Sequence, residues 1–201
     1  MNTKTPRVSA ILLAAGKSER MGRNKLLMPF EGGTVIGHTL DNLLASKAGE
    51  VVVVVGARAQ EMGDAAGKRP VTIVLNPNYA RGMSTSLVTG LQMVSKQAKF
   101  ALVALADQPF VTPQTYDKLI EAALSTDKGI VVPVYRKQRG NPILIHSGYF
   151  PEVLRFTGDV GGRELLASYP DDVLEVKVPD EGVVINLNTP EEYEKRVGPL
   201  R

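Results

Sequence analysis

The chain has no cysteine and no tryptophan among its 201 residues. The first absence excludes disulfides, thiolate metal sites and a cysteine nucleophile. The second, with aromatics at only 5%, removes the stacking platforms that hold single-stranded nucleic acid. Histidine is scarce as well. His38 lies in a helical stretch and His146 at a strand end; both read as structural, and no Ser-His-Asp arrangement is evident. Neither sign of charge dominates, since 24 Lys and Arg against 21 Asp and Glu leave a net charge of +3. That excess is compatible with phosphorylated small molecules but too small and dispersed for a nucleic-acid surface. No apolar stretch reaches the roughly 20 residues of a membrane span. The apolar run in MNTKTPRVSAILLAAGK is short and ends in Gly16-Lys17, so it reads as a first strand and not as a signal peptide. The expected location is the cytoplasm, with neither nucleic acid nor membrane as a partner.

What is present is ordinary globular composition, 22% charged and 43% hydrophobic, in a length that suits one domain over residues 1–201. Short β-branched runs alternate with amphipathic segments. Strands are expected at Val8 to Ala14, 50–56 (EVVVVVG), Val71 to Leu75, 100–105 (FALVAL), Ile130 to Val134, Pro142 to Ile145, Val173 to Val178 and Val183 to Ile185. Helices are expected at Ile36 to Ser46, Ser84 to Ser95, Pro113 to about Leu124, Glu164 to Tyr169 and from Pro190 onward. Thr112-Pro113 and Thr189-Pro190 each place a capping residue before proline at the first helical position. The alternation predicts an α/β fold, a Rossmann-like three-layer sandwich with a mostly parallel central sheet. Such sheets bind ligands at the carboxyl ends of their strands, where the strand order reverses. Residues 134–170, rich in Gly and Arg, read as an insertion over one edge.

The stretch LLAAGKSERMGRNKLL, residues 12–27, follows the first strand with glycines and four cations, Lys17, Arg20, Arg23 and Lys25. Gly16 and Gly22 permit positive φ and close approach of backbone N–H groups to phosphate. The spacing fits neither the Walker loop nor the dinucleotide fingerprint; alone, it would read as a solvated basic loop. LVALADQPFVTP places Asp107 just beyond the fourth strand. A carboxylate beside phosphates calls for an intervening cation, and Mg²⁺ takes few carboxylates together with water and phosphate oxygens; the competing reading is turn chemistry. Asn186 and Asn188 in VVINLNTPEEY offer neutral oxygens or a turn and a cap. Asn76, Gly82 and Ser86, in LNPNYARGMSTSLVTGL, suit either a base edge or the start of a helix. Arg136, Lys137 and Arg139 beside Gly140-Asn141, and Asp159, Gly161, Gly162 and Arg163 in TGDVGGRELL, suit a second anionic ligand or a hairpin and a helix start.

These strings resemble the MobA-like nucleotidyltransferases, whose signature loop reads L-A-x-G-x-x-x-R-M-G-x-x-K. The Ala-Ala-Gly form with Leu-Leu after the lysine, the Ala-Asp-Gln-Pro string and the Arg-Gly-Asn-Pro and Gly-Asp-x-Gly-Gly-Arg strings look most like the molybdenum cofactor cytidylyltransferases. The asparagines at 186 and 188 look like the guanylyl branch. The resemblance implies a sheet of the nucleotide-diphospho-sugar transferase type. It also implies Mg²⁺-dependent cytidylyl transfer from CTP to molybdopterin cofactor, with release of pyrophosphate. Guanylyl transfer from GTP, sugar-phosphate nucleotidyl transfer and a cofactor-carrying chaperone are the alternatives. By the same resemblance Ala14, Ala15, Gly16, Asn76, Gly82, Ser86 and Ala106 hold the nucleotide, and Arg20 and Lys25 sit on its triphosphate. Asp107, with Asn188, binds the metal. Arg139, Asn141, Asp159, Gly161 and Arg163 line the acceptor pocket, and a recipient molybdoenzyme or its chaperone is an expected partner.

Overall fold

The computed structural model describes residues 7–16 and 24–199. Arg20, together with Lys17, Gly22 and Arg23, lies outside the described residues. The described chain forms β1 (Val8–Ala14), β2 (Pro29–Phe30), β3 (Gly33–Thr34), α1 (Val35–Leu44), β4 (Glu50–Val55), α2 (Ala59–Ala66), β5 (Thr72–Leu75), α3 (Met83–Met93), β6 (Phe100–Leu105), α4 (Pro113–Ser125), β7 (Ile130–Tyr135), β8 (Gln138–Arg139), β9 (Ile143–His146), α5 (Phe150–Val153), α6 (Gly162–Ser168), β10 (Val173–Lys177) and α7 (Pro190–Arg196).

The main sheet runs β10-β7-β9-β6-β1-β4-β5, with β8 attached to β7. β1 pairs in parallel with β4 and β6, β4 with β5, and β10 with β7. β9 runs antiparallel to both β6 and β7, and β8 antiparallel to β7. β2 and β3 form a small separate ribbon. The long apolar runs follow from burial on both faces. Ala10, Leu12 and Ala14 of β1 face one core while Ile11 faces the other, and the alternation repeats in β4 and β6. Ile36 and Leu40 of α1, Met62 of α2, Tyr116 and Leu119 of α4 and Tyr193 of α7 fill the first core. Leu87 and Leu91 of α3, Val153 of α5 and Leu165 of α6 fill the second. The molecule is thus the expected α/β three-layer sandwich.

The expected caps are present. Thr112 accepts from Thr115 N, and Thr189 with Glu192 forms a complete capping box. Two expectations need correction. Val183 to Ile185 is not a strand; Glu181–Val184 is a tight 3-10 turn. Tertiary partners take the place of a ladder there: Val183 O accepts from Asn141 N at 2.8 Å and from Gln108 Nε2 at 3.2 Å. Gly182 packs so closely on the Phe110 backbone that a Cβ would stand 2.5 Å from it. Asn186 and Asn188 therefore follow a turn. The second correction is that the sequence reading lacks α2 and the one-turn α5; α2 buries little more than Met62 and Ala66.

Candidate functional site

The order reverses at β1: the chain leaves it for β4 and β5 on one side, then crosses to β6 on the other. At that reversal, on the carboxyl ends of β1 and β6, a cleft of about 930 Å³ opens. Leu13, Ala14, Ala15 and Gly16 form one wall, and Leu105 and Asp107 the floor beside it. Gly16 takes no positive φ, contrary to the freedom its loop suggested. Among the described residues nothing lies within 4 Å of where its Cβ would stand, and it lines the cleft.

Lys25 reaches this floor from a short turn, Lys25–Leu27, capped by the Asn24 side chain and anchored by buried Leu26. Its Nζ donates to Asp107 Oδ2 at 2.5 Å and to Asn188 Oδ1 at 2.9 Å. The Lys25 and Asp107 side chains are only 16% and 14% exposed, so the pair sits in a partly dry setting where charge acts strongly. A chain of amides supports the carboxylate. Gln108, buried, donates to Asn186 Oδ1 at 3.3 Å, and Asn186 Nδ2 donates to Asp107 Oδ1 at 3.3 Å.

The opposite wall is the start of α3. Gly82, Met83 and Ser86 line it, with Tyr79, Ala80 and Arg81 of the preceding turn. Gly82 has φ +117°, and its Cα abuts the next loop so tightly that a Cβ would lie 2.2 Å from Gly158 O. Ser84 Oγ donates to that same carbonyl at 2.6 Å, and Met83 N donates to Asp159 Oδ1 at 3.3 Å. Asp159 thereby lines the cleft on the N-terminus of α3.

Other expected residues are placed nearby but differently. Asn76, buried, spends its amide on Thr85 Oγ1, Ser86 Oγ and Asn78 N, bracketing the turn that carries Tyr79 and Arg81. Ala106 is buried, and its carbonyl accepts from Thr39. Arg139 on β8 pairs with Glu175 of β10 at 2.6 Å. Asn141 is buried against Val183 O, before a cis bond to Pro142. Gly161 precedes α6, and Arg163 is exposed in its first turn. These last four, with Asn76 and Ala106, do not line the cleft.

Sequence reasoning missed Tyr79, Arg81 and Met83 as cleft residues and Gln108 as a support. The signal for the first three was their place between Asn-Pro and the helix start; for Gln108 it was the buried string following β6. Among the described residues no three His, Asp or Glu side chains gather into a metal cage. Asp107 and Asn188 do converge, one carboxylate and one amide oxygen on a common point. That sparse donor set fits a hard cation that arrives with phosphate oxygens better than one held by protein alone.

Residues 10–173 match the sequence profile of the MobA-like NTP transferase domain. Nicotine blue oxidoreductase of Paenarthrobacter nicotinovorans is 32% identical, over 95% of this chain and 97% of its own. Molybdenum cofactor cytidylyltransferase of Escherichia coli K12 is 26% identical over 92% and 93%. The crystal structure of Rv0371c from Mycobacterium tuberculosis H37Rv superposes with a TM-score of 0.87 at 28% identity, covering 96% of this chain and 98% of that one. A manganese complex of the same protein gives 0.82 at 26%, covering 96% and 100%. No helix among the described residues is long and apolar enough to cross a membrane.

Proposed function

The chain belongs to the MobA-like NTP transferase family, and from that premise we propose that it transfers a cytidylyl group from CTP to the phosphate of molybdopterin cofactor. The observation that carries this reading is the meeting of Lys25, Asp107 and Asn188 at the carboxyl ends of β1 and β6. The Escherichia coli relative's name supports the choice of nucleotide and acceptor.

The acceptor phosphate monoester is largely a dianion at neutral pH, its second pKa being about 6. It needs no general base, which accords with the lack of histidine among the described residues of the cleft. One of its oxygens attacks the α-phosphorus of CTP. The new P–O bond forms as the α–β bridging bond breaks, and the bridging oxygen leaves with the electron pair on pyrophosphate. The obstacle is the approach of anion to anion, so the catalytic work is positioning and neutralisation. Lys25, with Arg20 of the preceding sequence, is assigned to the triphosphate; Arg81 and the N-terminus of α3 add positive potential across the cleft. Ala14, Ala15 and Gly16 hold the nucleotide by backbone, with Gly82 and Ser86 at the base; Asn76 and Ala106 set those walls. Asp107 and Asn188 would hold Mg²⁺, which would supply a counter-charge to the phosphate oxygens. Manganese in the Rv0371c complex accords with a divalent site in this fold. Asp159, which lines the cleft, is assigned to the acceptor; Asn141, Gly161, Arg139 and Arg163 of the 134–170 segment lie outside the cleft and are assigned to supporting that end of it, and the product passes to a recipient molybdoenzyme or its chaperone in the cytoplasm.

The test is incubation with each NTP, Mg²⁺ and molybdenum cofactor, scored by pyrophosphate release and product mass. Cytidylyl transfer with CTP supports the proposal. Turnover with GTP alone moves the assignment to the guanylyl reaction. Pyrophosphate only with sugar phosphates moves the acceptor. Binding of the cofactor without pyrophosphate favours a carrier. Reductive turnover of nicotine blue without pyrophosphate would favour the activity named by the Paenarthrobacter relative.

A further inference from the structure

Both carboxylate oxygens of Asp107 are engaged by the protein itself. Oδ2 receives Lys25 Nζ at 2.5 Å, and Oδ1 receives Asn186 Nδ2 at 3.3 Å. Lys25 also donates to Asn188 Oδ1 at 2.9 Å. The carboxylate and amide oxygens assigned above to a divalent ion therefore converge on an ammonium. A divalent ion bound to the same oxygens would stand within a few ångströms of that ammonium. Like charges at such separation repel strongly where side chains are only 16% and 14% exposed. That repulsion favours an exchange in which the ion takes the place of the lysine.

The backbone beneath Lys25 is not free to retreat. Its turn is pinned by Leu26 and Met28, each 4% exposed, and by the Asn24 cap. The side chain has a flexible four-carbon stem and three donors. It can swing its ammonium away from Asp107 without moving the chain, but a desolvated ammonium needs acceptors where it lands. A free metal ion offers it none. A metal–nucleotide complex offers phosphate oxygens.

We propose that Lys25 is the resident counter-cation of Asp107 and Asn188, and that it yields this place to a divalent ion only when nucleotide phosphates receive its ammonium. The nucleotide's identity rests on the transferase reading; the exchange rests on the geometry of the pair. By linkage, metal and nucleotide then favour each other's binding, and the protein binds free metal poorly. Lys25 keeps Asp107 neutralised in the free protein and acts as a phosphate ligand in the loaded one.

The experiment titrates Mn²⁺ into the full chain with no nucleotide and no acceptor, following the electron paramagnetic resonance signal of unbound Mn²⁺. Wild type is expected to bind weakly, and Lys25→Met at least tenfold more tightly. Lys25→Gln, which keeps a neutral donor for Asp107 and Asn188, guards against misfolding and is expected to bind at least tenfold more tightly too. Adding Asp107→Asn to either should abolish the gain. Equal Mn²⁺ affinity in wild type and the folded variants overturns the exchange. Because no turnover is involved, a chain that releases no pyrophosphate with any NTP leaves the Mn²⁺ result standing. A null Mn²⁺ result likewise leaves the pyrophosphate assay to judge the transferase reading.

Discussion

Lys25 and Asp107 are 82 positions apart in the chain and meet because each follows a central parallel strand. That convergence was legible in the sequence: two strand-end motifs in one parallel sheet must share an edge. Asp107→Asn is expected to lower kcat about 10²- to 10³-fold, the scale on which one aimed electrostatic group acts. Circular dichroism should show the fold unchanged. The amides behind the carboxylate were not legible, because the turn that presents Asn186 to Gln108 has no periodicity and is set by contacts with residues 108–110 and 141. The need for glycine at 82 was likewise hidden, since it arises from a loop 76 positions onward. Gly82→Ala combines a disfavoured φ of +117° with a collision on Gly158 O. It is expected to cost about 1–3 kcal/mol in urea unfolding, the range for overpacking, and to weaken acceptor binding by displacing Asp159.

At the level of elements, helices with strong caps and wide apolar stripes were readable, and α2 was not. Its sequence AQEMGDAA carries glycine in mid-helix and one narrow buried stripe, so tertiary contacts must hold it. Arg69, three residues beyond the end of α2, forms a two-pronged ion pair with Asp41 of α1, both bonds 2.7 Å. Arg69 also donates to the carbonyls of Ala65 and Ala66 at the end of α2. The Arg69 guanidinium holds the Asp41 carboxyl below its ordinary value. A depressed folded value means the pair's contribution is complete above the unfolded carboxyl pKa of about 4 and fades as pH falls through the folded one. Asp41 is 61% exposed, so screening keeps the contribution to a few tenths up to about 1 kcal/mol. Arg69→Ala should therefore lose more stability at pH 7 than at pH 3 in urea melts, and the difference should shrink in high salt.

On the scale of the whole molecule, the layered α/β plan was readable because strands buried on both faces cannot hide their apolar runs. Leu102, fully buried in β6, is at the centre of that plan. Leu102→Ala is expected to cost about 2–5 kcal/mol. For a chain of this size that corresponds to a Tm lower by roughly 5–15 °C in calorimetry. The order of strands was less readable. Periodicity marks where a strand is, and says nothing of the neighbour it chooses; hence the place of Ile143–His146 came only with the coordinates.

That place bears on biosynthesis. β6 and β7 are successive parallel strands joined by α4, yet they stand one strand apart, and the segment that fills the space is made after both. A chain truncated just after β7 would have two facing, unbonded edges separated by the width of one strand. A released chain that ends between residues 136 and 142 would leave that slot open to any extended peptide nearby. The full chain seals it with its own next segment, and the residues beyond carry Asp159 to the cleft. A product truncated there would be adhesive and would lack both Asp159 and Asn188 of the cleft.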